Sequence, residues 1–210
     1  MINSKFVTTL IEIGTKLSKY KEGNYVDPSY FKSLVGSLRY LTCTRPNILF
    51  SVGLVSRFME SPTTTYLKVA KRILRYLKDT LDYGLFYSSS KEFELEGYMI
   101  VTGLEILMIE KALVDMFSSL GNSTVIHVDN KSTIALAKNL VFHDRSKHID
   151  TRFHYIRDCI LRKKVQVEYV KTEDQIADNF TKSLKVNVFN KSRTLLGVFQ
   201  KTCLREDVKN

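Results

Sequence analysis

The 210 residues carry 32 Lys and Arg against 22 Asp and Glu, a formal charge of +10 that favours a polyanionic partner, nucleic acid before an anionic membrane surface. A 44% hydrophobic content is enough for one large or two small domains, but no run of about 18 apolar residues is present to span a membrane. The N-terminus lacks a charged region followed by an apolar one, so no secretory signal is expected, and three scattered cysteines (Cys43, Cys159, Cys203) fit reduced thiols in an intracellular protein, not a disulfide framework.

Residues 1–25 are polar, without strong periodicity, and read as a loosely packed arm. Asp27 and Pro28 then supply an N-cap and a first-turn proline. The helix they open is expected to keep Tyr30, Leu34, Leu38 and Leu41 on one apolar face. Arg45–Pro46 starts a second helix with Ile48, Val52, Val55, Phe58 and Met59 inward. Ser61–Pro62–Thr63 starts a third, over roughly 63–79, with the stripe Tyr66, Val69, Ile73, Leu77. Its other faces carry Lys68, Lys71, Arg72, Arg75 and Lys78, with no acid between Thr65 and Lys78. Such a run is read either as a solvated helix face or as a phosphate-contacting one.

After Leu81 the texture changes to strands. Tyr83–Tyr87 and Phe93–Tyr98 flank Ser88–Lys91 in a hairpin pattern. A helix is expected over 99–120, stopped by Gly121, with Ile106, Ile109, Leu113, Met116 and Phe117 inward. The half-buried strand pattern of 124–128 runs straight into a helix containing Ile134 and Leu136. Asp129, at that junction, has two readings: with Asn130 it is a candidate N-cap, and at a strand end it is also a candidate metal ligand. A basic helix over 149–162, a strand over 165–170 and a short helix over 173–182 follow. The order points to α/β with helices on at least one face of a sheet. His143, His148, His154 and Cys159 are too widely spaced for a zinc site. Glu173 and Asp174 suit a helix start better than a metal. Arg145, Lys147, Arg152 and Arg157 suit phosphate contact or pairing with Asp144, Asp150 and Asp158.

Five stretches together resemble one family. YFKSLVGSLRYLTCTRPNI (30–48) and AKRILRYLKDT (70–80) resemble the segment after the polymerase fingers and palm in Pol polyproteins of copia-type LTR retrotransposons. VDNKS (128–132), FHDRSKHIDTRFHYIRD (142–158) and KTEDQIADNFTK (171–182) resemble the ribonuclease H domain of the same elements. The resemblance covers most of positions 5–190, in order. It implies a truncated ribonuclease H-like mixed sheet with flanking helices, preceded by a small helical region. The implied divisions are a thumb/connection remnant at 1–80, a ribonuclease H-like domain at 81–190 and a tail at 191–210.

The same resemblance assigns Asp129 and Asp178 as metal-binding, catalytic carboxylates. In that family hydrolysis of RNA in an RNA–DNA hybrid uses two Mg²⁺ about 3.5–4 Å apart. Close dications need a cluster of carboxylates, and the family supplies four. The other two are an Asp on the first strand and a Glu early in the first helix. Here Gly97–Tyr98 leads directly to Met99–Thr102, which resembles sequence downstream of that Glu. An internal deletion at Tyr98/Met99 is therefore expected, removing the second and third strands with both carboxylates. Glu105 and Glu110 lie too far along the helix to replace them. Mg²⁺ is then not expected to bind productively. Nucleic acid, hybrid or duplex and without sequence preference, is the expected partner, through Lys68, Lys71, Arg72, Arg75, Arg145, Lys147 and Arg152; neither a membrane nor a small-molecule substrate is. An active hybrid ribonuclease and a pseudogene-like product without function are the alternatives.

Overall fold

In chain order the helices are α1 (Pro28–Leu41), α2 (Leu49–Ser56), α3 (Thr64–Asp79), α4 (Lys131–Lys138) and α5 (Val186–Leu195). The strands are β1 (Tyr83–Leu85), β2 (Glu96–Met99), β3 (Thr124–Val128), β4 (Val165–Tyr169) and β5 (Val198–Gln200). The computed structural model describes residues 7–12, 14, 15, 17, 18, 23–86, 96–100, 124–138 and 158–201. It is a mixed α/β protein with two small sheets among the described residues. Two compact units form, one from 1–88 with 178–210 and the other from 89–177.

The first unit is a helical core closed by the C-terminal segment. Asp27 caps α1, its carboxylate accepting from the amides of Ser29 (3.0 Å) and Tyr30 (3.3 Å), with Pro28 in the first turn. The buried face of α1 is Phe31, Val35 and Leu38, while Tyr30 is 53% exposed. The expected face is thus turned by about one position, because the Phe31 and Val35 rings and branches fill the groove against α2 and α3 better than Tyr30, whose hydroxyl stays in water. Ile48, Val52 and Val55 are buried as expected, and so are Tyr66 and Ile73 of α3; Ala70 and Tyr76 join them. Phe58 stacks on Tyr66 at 4.1 Å.

The described residues between 7 and 18 do not form a loose arm; residues 1–6, 13, 16 and 19–22 of the expected arm lie outside the described residues. Leu10 and Ile11 are 5% and 4% exposed and belong to this core. The Val7 amide donates to Asp79 at 3.2 Å and the Tyr66 hydroxyl to the Ser18 carbonyl at 2.6 Å. Burying two aliphatic side chains, at roughly 1.5–3 kcal/mol each, outweighs the polarity of the surrounding residues.

The expected hairpin of 83–87 with 93–98 is not the pairing adopted. β1 pairs antiparallel with β5, Tyr83 opposite Gln200 and Leu85 opposite Val198. Gly197, at φ 77°, makes the left-handed turn that ends α5 and feeds β5. α5 itself is held by Phe189, which meets Tyr76 edge-to-face at 5.7 Å. Tyr76 also accepts hydrogen bonds from Asn47 (2.9 Å) and Arg193 (3.4 Å). Residues 186–200 are therefore structured, and they join the helices of 28–79; this partition differs from the expected 1–80, 81–190 and 191–210. Arg45 is buried beside them, donating to the Thr80 carbonyl at 2.6 Å. Burial holds its guanidinium below the usual range, against the opposing pull of Tyr76 and Asp82.

The second unit is a parallel sheet in the order β2–β3–β4. Tyr98 pairs with His127 and Met99 with Val128, while Val128 also pairs with Tyr169. One face packs Met99, Ile126, Val128, Val165 and Val167 against Ile134 of α4 and Cys159. Residues 158–161 are helical, the described part of the expected basic helix. Met99, expected to open a helix, instead ends a strand, because its side chain completes that apolar face; the rest of the expected 99–120 helix beyond residue 100 lies outside the described residues. The expected helix over 173–182 is two short 3₁₀ turns, Thr172–Asp174 and Ile176–Phe180.

Candidate functional site

Parallel sheets present functional groups at the carboxyl ends of their strands, and Asp129 stands there, one residue beyond β3. Asn130 caps α4: its side-chain oxygen accepts from the amides of Ser132 (3.0 Å) and Thr133 (3.3 Å). The capping role therefore falls to Asn130. The Asp129 carboxylate is half-buried and has no hydrogen-bond or ion-pair partner among the described residues. Lys131 lies over the Tyr169 ring at 4.6 Å, on the neighbouring strand end.

The end of β2 is held by a residue that sequence patterning does not mark. Gln175 is 2% exposed, donates through Nε2 to the Met99 carbonyl at 2.9 Å, and accepts from the Ala177 amide at 3.4 Å. A buried amide so placed fixes residues 175–177 against the strand end. On the sheet face opposite the apolar one, Tyr98 stacks on His127 at 4.7 Å and donates to Glu96 at 3.3 Å. Burial first, then the Glu96 charge and hydrogen bond, then Asp174, push the Tyr98 phenol above its usual range.

Asp178, the second expected carboxylate, belongs to the other unit. Its side chain is 4% exposed and its Oδ2 receives Lys182 Nζ at 2.7 Å. Asn179 beside it is buried as well. Among the described residues no group of three or more His, Cys, Asp and Glu side chains gathers to hold a metal ion. The donors among the described residues do not fit a two-Mg²⁺ site: Asp178 is neutralised by a lysine, and no cluster of acidic side chains gathers around Asp129. Arg145, Lys147 and Arg152, with His143, His148, His154, Glu105 and Glu110, lie outside the described residues.

The basic candidates of α3 share one side of that helix. Lys68 and Lys71 are exposed, Arg72 and Arg75 half-buried, and Lys68, Lys71 and Arg75 pair with no acid among the described residues. Arg72 differs. It donates through Nε to the Thr9 carbonyl (3.0 Å), through Nη2 to Thr9 Oγ1 (3.2 Å) and through Nη1 to Glu12 (2.7 Å). Lys68, Arg72 and Arg75 line a groove of about 310 Å³ with Ile11, Glu12 and Thr15. No helix among the described residues is long and apolar enough to cross a membrane.

No protein-family model and no solved structure matches the chain. Curated proteins do. The chain is 31% identical to the retrovirus-related Pol polyprotein from transposon RE1 of Arabidopsis thaliana, over 94% of the chain and 17% of that protein. It is 28% identical to the one from transposon RE2 of the same plant, over 95% of the chain and 17% of the relative. With the Pol polyprotein from transposon TNT 1-94 of Nicotiana tabacum it shares 29% identity, over 94% of the chain and 19% of the relative. The chain thus spans less than a fifth of the length of the curated relatives it matches. The first alignment runs over 246 positions, more than the chain's 210 residues, so that relative carries residues without a counterpart here. Matching three such polyproteins along nearly its whole length, the chain belongs to the Pol polyproteins of copia-type retrotransposons, of which it covers one section.

Proposed function

We propose that residues 89–177 are a ribonuclease H-like sheet lacking its second and third strands, and that the chain binds nucleic acid without cleaving it. The observation that carries this reading is the position of Asp129. It follows the central strand of a parallel three-stranded sheet, and the neighbouring Asn130 takes the cap. That is where a metal-ligating carboxylate of such a fold belongs. The strand order β2–β3–β4 also agrees with a first strand joined directly to the later ones. Residues present in the relatives but absent here agree with a deletion, for which Tyr98/Met99 is the proposed place. Met99 lies inside β2, so the join leaves a strand that still pairs with β3.

A two-metal hydrolysis needs carboxylates around both ions. Asp129 and a lysine-paired Asp178 are too few for it, so no catalytic step is assigned to them. Binding rests on the net charge of +10 and on the cations of α3. The test uses the purified chain with a labelled RNA–DNA hybrid, in Mg²⁺ and in Mn²⁺. The expected result is retention that weakens linearly in log salt, with no cleavage. Metal-dependent cleavage abolished by Asp129→Asn would overturn the inactive reading, and no retention at low salt would overturn binding.

A further inference from the structure

This inference rests on the nucleic-acid-binding reading and concerns how the α3 surface is controlled. The groove beside α3 sets three cations, Lys68, Arg72 and Arg75, against one acid, Glu12. Arg72 makes two kinds of contact there. Its bonds to Thr9 go to a backbone segment anchored by the buried Leu10 and Ile11. Its bond to Glu12, at 2.7 Å, goes to a side chain that is 73% exposed.

The two contacts are separable. Side-chain rotation alone takes the Glu12 carboxylate off Nη1, while Thr9 still orients the guanidinium. An exposed ion pair of this kind is weak and breaks at little cost. A phosphodiester oxygen offers Arg72 the same charge-assisted acceptor that the carboxylate does, and Lys68 and Arg75 flank the position it would take. We propose that Glu12 is a built-in competitor for a backbone phosphate, lowering the affinity of the α3 groove until a nucleic acid displaces it. The anchored Thr9 contact means that displacement leaves the packing of residues 7–12 intact.

The experiment measures binding of the full chain to a short labelled RNA–DNA hybrid by fluorescence anisotropy over a range of salt. Glu12→Gln is expected to tighten binding about two- to fivefold at low salt, the scale of one exposed ion pair. The log–log salt slope should stay close to that of the parent chain, because Arg72 engages the same phosphate once Glu12 is displaced. Glu60→Gln, an equal charge change at an exposed site outside the groove, is expected to leave the affinity close to that of the parent chain. Adding Lys68→Ala and Arg75→Ala to Glu12→Gln should abolish the gain, and Glu12→Ala should reproduce it independently of the amide. If the parent chain binds and Glu12→Gln does not tighten it, or Glu60→Gln tightens it equally, the competitor role is overturned while nucleic-acid binding stands. If the parent chain and every variant fail to bind at low salt, both fall.

Discussion

Phe189→Ala tests the packing that unites the ends of the chain. Phe189 is 4% exposed and meets Tyr76 at 5.7 Å with the rings 73° apart, so it seats α5 on α3. Truncation removes a ring from water-free surroundings and leaves a cavity, at about 3–5 kcal/mol. Roughly 0.5–1.5 kcal/mol of that is the aromatic pair itself. A domain holds only about 5–15 kcal/mol in total, so the loss is at least about a fifth of the unit's stability. The chain has no Trp, so the assay is urea unfolding followed by far-ultraviolet circular dichroism, with amide hydrogen exchange to locate the change. The midpoint should fall with its slope preserved. Protection should drop in α1, α2, α3 and the β1–β5 pair, and persist in β2, β3 and β4. Leu195→Ala, on the same helix but 52% exposed, should change stability by no more than about 0.5 kcal/mol. A loss below about 1 kcal/mol for Phe189→Ala, or a loss of protection confined to β2–β4, would refute the reasoning.

Asn130→Ala should destabilise α4 by about 1 kcal/mol through its two lost cap bonds, and Asp129→Ala by less than half of that; amide exchange in α4 reads both, and a reversed order would return the cap to Asp129. Tyr98 ionises late, so ultraviolet titration should show one phenol deprotonating above the ordinary value of about 10, missing in Tyr98→Phe. Because its folded pKa is raised, the stability it contributes is complete below about pH 10 and lost as pH rises through the folded value. Urea midpoints above that pH should therefore fall faster for the parent chain than for Tyr98→Phe, and parallel curves would count against the assignment.

What the sequence discloses is mostly local. The α1 start is written in Asp27 and Pro28, and the strand-to-helix junction at Asp129 in an alternating run followed by a cap. Which face of α1 turns inward is less local: Tyr30/Leu34/Leu38 and Phe31/Val35/Leu38 both satisfy helical spacing, and only contact with α2 and α3 selects the second. The hairpin expectation failed for a related reason. Period-two patterning marks a strand but carries no address for its partner, and the partners of β1 and β2 lie far along the chain. The same holds in the candidate site. Arg72 reads as one cation among five, because Glu12, its partner, is 60 residues away. Gln175 reads as an ordinary polar residue until the Met99 carbonyl is found beside it.

The division of the first unit between two distant stretches of chain has a consequence for the newborn polypeptide. Asp82 and Gln200, joined by a hydrogen bond, are 118 residues apart. At about 5–20 residues per second of synthesis, that gap lasts on the order of ten seconds. During it α1, α2 and α3 have emerged, yet the seat for Phe189 on Tyr76 is empty and β1 has no strand to meet. The intervening 89–177 stretch can meanwhile assemble its own parallel sheet as an insert. Closing so long a loop adds little equilibrium cost, about 0.6 kcal/mol for each doubling of length, so the burden is one of timing. A ribosome-bound intermediate with an open aromatic seat is what a folding chaperone would encounter, and it closes only when residues 186–200 leave the exit tunnel.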